Sequence, residues 1–232
     1  MTDATAVGSA APVAPAAPVV PGSVGVFGGT FDPIHHGHLA IAEEAREALG
    51  LASVVFVPAA ASPFKTDRLV TPGGHRAAMV EAAIADNPGF TCTRLELERP
   101  GPSYTVDTLH STAASAGGGT GPDLLWLILS SEALAGFPRW RDPDSILELA
   151  RVAIVPRGGF DPLGPPWASR HFPGREARFR FLAGPLLPIS GSVVRRRAAA
   201  GRSVRYLVPD AVADYIGRHR LYAEPASRTP TT

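Results

Sequence analysis

Short apolar runs alternate with stretches of helical periodicity along most of the chain. Residues 24–27 form the first run and 54–57 the second, which ends at Pro58. Between them Leu39, Ala42, Ala45 and Leu49 recur on one face, predicting a helix over 39–49 stopped by Gly50. The pattern continues with a helix over 76–84, a strand over 90–97 and a loop leading into a helix within 103–114. Residues 124–129 are continuously apolar, as in a central strand covered on both faces. Further strands are predicted at 152–155 and 178–182, with short helices at 193–200 and 209–215. The Gly- and Pro-rich stretch 158–175 reads as a surface excursion, and 117–122 as a flexible connector. Strands alternating with helices predict an α/β fold: a Rossmann-like, doubly wound parallel sheet with a small C-terminal helical part.

The two ends depart from this rhythm. Residues 1–21 are rich in Ala, Pro and Val, but Pro12, Pro15, Pro18 and Pro21 interrupt the run, and it holds no Lys or Arg. A secretory signal needs a basic start and an unbroken apolar centre, so this stretch reads as a disordered arm. The globular part is expected over 22–223, and 224–232 reads as a loose tail.

Composition narrows the function classes. Hydrophobic residues make up 45% and charged residues 19% of 232, as in a soluble globular protein. The formal charge is +1, from 22 basic and 21 acidic residues, so no global field recruits a nucleic acid polymer or an anionic membrane. No run approaches the roughly 20 apolar residues of a membrane span. Any anion site must therefore be local. One cysteine, Cys92, excludes an intramolecular disulfide and a cysteine-only metal cluster, and fits a cytoplasmic location. It sits in an alternating apolar run and reads as a plain strand residue.

The chemistry gathers just after the first run, in Gly28-Gly29-Thr30-Phe31-Asp32-Pro33-Ile34-His35-His36-Gly37-His38-Leu39. This is a strand-to-helix turn, where free backbone N–H groups and the helix dipole favour a phosphate. Gly28 and Gly29 let the backbone approach a ligand closely, and Thr30 adds a hydroxyl. His35 and His38, three apart, share a face in the first helical turn. Two imidazoles there can donate hydrogen bonds to a polyphosphate and gain positive charge beside it. A positive helix end disfavours a dication, so no resident metal is expected. Neither a Walker A loop nor a GxGxxG fingerprint is present.

This segment resembles the T/HxGH signature of the nucleotidylyltransferase superfamily, and its long form looks most like bacterial nicotinate-nucleotide adenylyltransferases. The resemblance extends over roughly residues 24–222. Ser103 to Leu109 resembles the family's SYTxDTL segment, which implies that Thr105 helps define a pyridine pocket; the same letters also suit a capped helix start. Phe137-Pro138-Arg139-Trp140 resembles FPxW, which implies that Trp140 stacks on the nicotinate ring. Ile189 to Arg195 resembles ISSTxIR, which implies that Ser190, Ser192 and Arg195 grip the triphosphate. By the same likeness Arg157 faces phosphate and Lys65 holds the substrate phosphate, while His75 and Arg76 are assigned to packing. Two departures stand out. Ser130-Ser131-Glu132 replaces a Gly-Ala-Asp or Gly-Thr-Asp whose Asp contacts the adenosine ribose, and Gly191 replaces a Ser.

The resemblance implies that ATP, carried with Mg2+, and nicotinate mononucleotide yield nicotinate adenine dinucleotide and pyrophosphate. The expected ATP site is Gly28, Gly29, Thr30, Phe31, His35, His38, Glu132, Arg157, Ser190, Ser192 and Arg195. His35, His38 and Arg195 act on the reacting phosphates, and Lys65, Thr105 and Trp140 hold the mononucleotide. Two alternatives stay open: an adenylyltransferase for nicotinamide mononucleotide or phosphopantetheine, and a weakly catalytic nucleotide sensor or scaffold. Homo-oligomerisation is equally open.

Overall fold

A computed structural model describes residues 20–60, 70–115, 123–159 and 163–223. Residues 1–19 of the expected 1–21 arm and the tail over 224–232 lie outside these residues, as do the 117–122 connector and Lys65.

Six strands form one parallel sheet in the order β3-β2-β1-β4-β5-β6. They are β1 Val24–Gly29, β2 Ser53–Pro58, β3 Phe90–Cys92, β4 Leu125–Ser130, β5 Arg151–Val155 and β6 Phe179–Phe181. The winding direction reverses between β1 and β4, so the crevice beyond their carboxyl ends is the switch point where such folds bind ligands. Nine helices accompany them among the described residues: α1 His36–Ala48, α2 Gly73–Ile84, α3 Leu95–Glu98, α4 Thr105–Ser115, α5 Ser131–Gly136, α6 Pro143–Leu149, α7 Pro165–His171, α8 Gly191–Ala199 and α9 Asp210–Arg218.

Neighbouring strand residues feed opposite cores, because successive side chains leave a strand on opposite faces. Phe27, Phe56, Ile128 and Val155 join α1, α2, α8 and α9 through Ile41, Met79, Val194 and Val212. Val26, Val57, Leu127, Leu129 and Ile154 pack on the other side with Leu109, Leu134, Ile146 and Leu147 of α4, α5 and α6. Both faces are covered, which is why the central runs are apolar without alternation.

Two expected elements change. The strand expected over 90–97 ends at Cys92, and α3 takes over at Leu95. Glu96 is the cause: its carboxylate is buried and accepts a 2.7 Å hydrogen bond from the buried Thr108 hydroxyl. Extended backbone would alternate the leucines inward and leave the glutamates outside. Likewise, the expected 158–175 excursion carries α7, whose Ala168 and the following Phe172 are buried in the second core. Cys92 is half-buried at the end of β3, and burial, reinforced by Glu81, pushes its thiol up to about 11. It is thus held as the unreactive thiol.

Arg76, on α2, links the fold to the site. It is 2% exposed and donates to Thr30 O (2.7 Å), Ala59 O (2.7 Å) and Thr71 O (2.8 Å). One guanidinium thereby ties the chain leaving β1 to the chain leaving β2.

Candidate active site

Beyond the carboxyl ends of β1 and β4 opens a cavity of about 570 Å3. Its floor is the turn after β1. A Cβ on Gly28 would meet nothing within 4 Å, so this backbone faces open cavity. A Cβ on Gly29 would lie 2.9 Å from the Phe31 ring. That ring is buried and edge-on to Phe27 at 5.6 Å, with Phe31 held at φ 46°. Gly29 therefore serves the fold of the turn, while Gly28 leaves room for a ligand.

At the start of α1 the His35 and His38 rings stack, with centroids 3.7 Å apart and planes 21° from parallel. The His35 backbone N–H donates to His38 Nδ1 at 3.3 Å, so the proton of the neutral His38 ring belongs on Nε2. A Cβ on Gly37 would approach the His35 ring to 3.1 Å, which accounts for the glycine between the imidazoles. His35 differs from the expectation that it gains charge easily. It is 1% exposed, and neither ring nitrogen has a hydrogen-bond partner among the described residues. Burial first, and the Arg157 charge second, lower its pKa to about 3. It stands as a neutral imidazole.

That shift has a measurable consequence. The ordinary histidine value is 6.5, so between pH 6.5 and about 3 the unfolded chain binds a proton that the folded chain refuses. This contribution to stability is complete above pH 6.5 and is lost as the pH falls toward 3. Melting midpoints between pH 7 and 4 should fall in the wild type and fall less in His35→Gln; parallel curves would contradict the neutral buried ring.

The opposite wall comes from β4 and α5. Ser130 lines the cavity, and its Oγ accepts from Ala133 N at 3.3 Å and caps α5. Glu132 pairs with Arg157 Nη1 at 2.9 Å, and Arg157 Nη2 donates to Ile189 O at 3.0 Å. These two expected ligand contacts are thus each other's partners, and they brace the wall against the irregular segment preceding α8. Trp140 lines the cavity, half-buried and edge-on to Phe137 at 5.4 Å.

The third wall is the start of α8. Ser190 Oγ accepts from Val193 N at 3.3 Å, which leaves its O–H to donate elsewhere. Arg195 Nη2 donates to Ser192 Oγ at 3.0 Å, and Nη1 donates to the Asp32 carbonyl. Gly191 permits that contact: a Cβ there would lie 2.8 Å from Asp32 O and 3.2 Å from Arg195 Nη1. The family's usual serine is therefore expected to harm this chain. Gly191→Ser should lower kcat/KM for ATP about tenfold, a part of the hundredfold that a ~1 Å misplacement can cost. A variant equal to or better than wild type would contradict this.

The cavity thus gathers Gly28, Gly29, Thr30, Phe31, His35, His38, Glu132, Trp140, Arg157, Ser190, Ser192 and Arg195 of the expected set. Thr105 lies outside its lining, at the first turn of α4. A cation–π contact of 4.4 Å between Arg141 and the Tyr104 ring ties that turn to the segment after Trp140. Sequence reasoning passed over Asp32 and Arg139, which also line the cavity. Asp32 stood inside the first motif, next to Phe31, which was assigned to the ATP site. Among the described residues, no group of three or more His, Cys, Asp or Glu could hold a metal ion, and no helix is long and apolar enough to cross a membrane.

The arrangement offers imidazole, guanidinium, hydroxyl and backbone donors to one polyanion, and an indole to a flat ring. Comparison with known proteins identifies the family. The cytidylyltransferase-like family matches residues 26–197. A probable nicotinate-nucleotide adenylyltransferase of Roseiflexus sp. (strain RS-1) is 46% identical over 199 residues, covering 86% of this chain and 97% of that protein. One from Herpetosiphon aurantiacus is 45% identical over 200 residues, covering 86% and 98%. Among solved structures, Plasmodium falciparum nicotinic acid mononucleotide adenylyltransferase complexed with NaAD shares the fold. Its TM-score is 0.69 at 19% identity, over 86% of this chain and 97% of that one. On its sequence relatives, the chain belongs to the cytidylyltransferase-like family and, within it, to the nicotinate-nucleotide adenylyltransferases.

Proposed function

We propose that this protein transfers the adenylyl group of ATP to nicotinate mononucleotide, giving nicotinate adenine dinucleotide and pyrophosphate, as a cytoplasmic step in NAD biosynthesis. The observation that carries the reading is convergence: the His35–His38 pair and the Arg195–Ser192 grip, from opposite ends of the chain, face one cavity that Trp140 also lines.

The mononucleotide 5′-phosphate attacks the α-phosphorus of ATP in line. One P–O bond forms as the α–β bridge bond breaks, and its electron pair leaves on pyrophosphate. A phosphate monoester has its second pKa near ~6 and is largely dianionic at neutral pH, so no side-chain base is required. Positioning and charge stabilisation then carry catalysis. His38 Nε2–H donates to the reacting phosphate oxygens. The neutral His35 ring, stacked beneath, fixes the His38 plane and offers an uncharged donor. Arg195, Ser190 and Ser192 hold the departing pyrophosphate, and Gly28 to Phe31 bring backbone against the chain of phosphates. Glu132 reaches the ribose. Trp140 stacks on the pyridine, with Thr105 and Lys65 completing the mononucleotide site. ATP enters as its Mg2+ complex.

Steady-state pyrophosphate release with ATP·Mg and three acceptors tests this reading. Nicotinate mononucleotide should be preferred over nicotinamide mononucleotide and phosphopantetheine. Preference for either rival, or ATP binding without turnover of any acceptor, would overturn it. The two departures from the family pattern do not favour a non-catalytic protein, because each serves the site's own framework: Ser130 caps a helix, and Gly191 makes room for Arg195.

A further inference from the structure

Behind the phosphate grip, three distant segments meet on one buried carboxylate. Asp32 belongs to the turn after β1, and its side chain is 2% exposed. Its Oδ1 accepts a 2.8 Å hydrogen bond from the hydroxyl of Tyr222, which lies just after α9. Thr71 N donates to Oδ2 at 3.5 Å, and Arg195 Nη1 lies 3.9 Å from the same oxygen. The Arg195 nitrogen also donates to the Asp32 carbonyl. Tyr222 itself stands outside the cavity lining. Burial first, and Asp32 second, raise its phenol above the ordinary tyrosine value, so the hydroxyl keeps its proton and donates.

We infer that Tyr222 is a positioning residue for ATP: through Asp32 it sets where the Arg195 guanidinium stands against the triphosphate. This inference rests on the adenylyl-transfer reading. The physical reason is competition. A carboxylate attracts a guanidinium most strongly as a two-oxygen fork. By occupying Oδ1, the Tyr222 hydroxyl holds the carboxylate plane so that Arg195 meets Asp32 through its carbonyl and one distant oxygen. Arg195 thereby stays in the cavity lining, where its remaining guanidinium N–H groups can meet phosphate. Without the hydroxyl, the carboxylate turns toward Arg195 and draws it off the phosphates. Tyr222 sits at φ 65°, a backbone conformation that side-chain-bearing residues rarely adopt, and its placement beneath Asp32 is what that conformation serves.

The test is a double-mutant cycle of Tyr222→Phe and Arg195→Ala. Tyr222→Phe removes one hydroxyl, that of a half-buried side chain. It should lower kcat/KM for ATP about tenfold, within the range for a hydrogen bond to a charged group, and leave KM for nicotinate mononucleotide unchanged within about twofold. In the Arg195→Ala background the same change should alter kcat/KM for ATP by less than about twofold. Equal losses in both backgrounds, or no loss in either, would overturn the inference. Asp32→Asn should show the same dependence on Arg195, and it carries the test if Tyr222→Phe melts below the assay temperature. Calorimetric affinity for ATP separates the two failures. If the wild type binds ATP but transfers to no acceptor, the adenylyl-transfer reading fails, while Arg195-dependent weakening of ATP by Tyr222→Phe still decides this one.

Discussion

Replacing His38 with alanine is expected to lower turnover at least about a hundredfold, the loss typical of removing one preorganised donor at a developing charge. His38 is held on three sides: its Nδ1 accepts the His35 N–H, its face stacks on the His35 ring, and the Phe31 ring stands edge-on at 5.1 Å. Its Nε2–H is therefore aimed before ATP arrives, and costs little reorganisation at the moment of transfer. Because the donor acts on charge that develops during the reaction, kcat should fall far more than the affinity for ATP. Steady-state kinetics of a folded His38→Ala protein check both statements. Unchanged kcat would remove His38 from the mechanism, and a change in KM alone would make it a binding residue.

The second large effect is on stability. Arg76→Met keeps a long apolar stem but deletes every donor, which leaves the carbonyls of Thr30, Ala59 and Thr71 without this partner. Each such orphaned acceptor costs roughly 1–3 kcal/mol, so the loss should reach at least about 3 kcal/mol. At about 2–4 °C per kcal/mol for a domain of this size, the melting midpoint should drop by about 6–12 °C. Denaturation followed by circular dichroism measures it. A drop below about 2 °C would show that the carbonyls find other donors and that Arg76 is not the tie between the two loops.

The four central strands were legible because each carries its own apolar run, at 24–27, 54–57, 124–129 and 152–155, whereas the edge strands Phe90–Cys92 and Phe179–Phe181 are three residues long and carry none. Residues 124–129 are the clearest case: Leu127, Leu129 and Ile128 enter two different cores, so no polar letter interrupts them. Glu96 misled the same reasoning, because a buried carboxylate paired with Thr108 reads as an outward-facing position. The helices α5 and α6 were missed although their caps, Ser130 and Asp142, stand in the sequence; each is short, and its periodicity is too brief to register. Of the site, the phosphate-facing letters could be read because their chemistry is rare in that order. Arg76 and Tyr222 could not. Each acts on the backbone or on a carboxylate far away in sequence, and nothing local distinguishes such a residue from ordinary packing. The reason for Gly191 was hidden in a related way: a missing hydroxyl is visible in the letters, while a carbonyl 2.8 Å from the absent Cβ is not.

The reversal of winding at β1 also shapes how the protein is made. Val24 pairs with Ser53 on one side and with Leu125 on the other. During synthesis at roughly 5–20 residues per second, the second partner leaves the ribosome about 5–20 s after the first strand. Throughout that interval the inner edge of an apolar strand has no mate within its own chain. Until β4 arrives, that edge is the kind of open template that can pair with another chain.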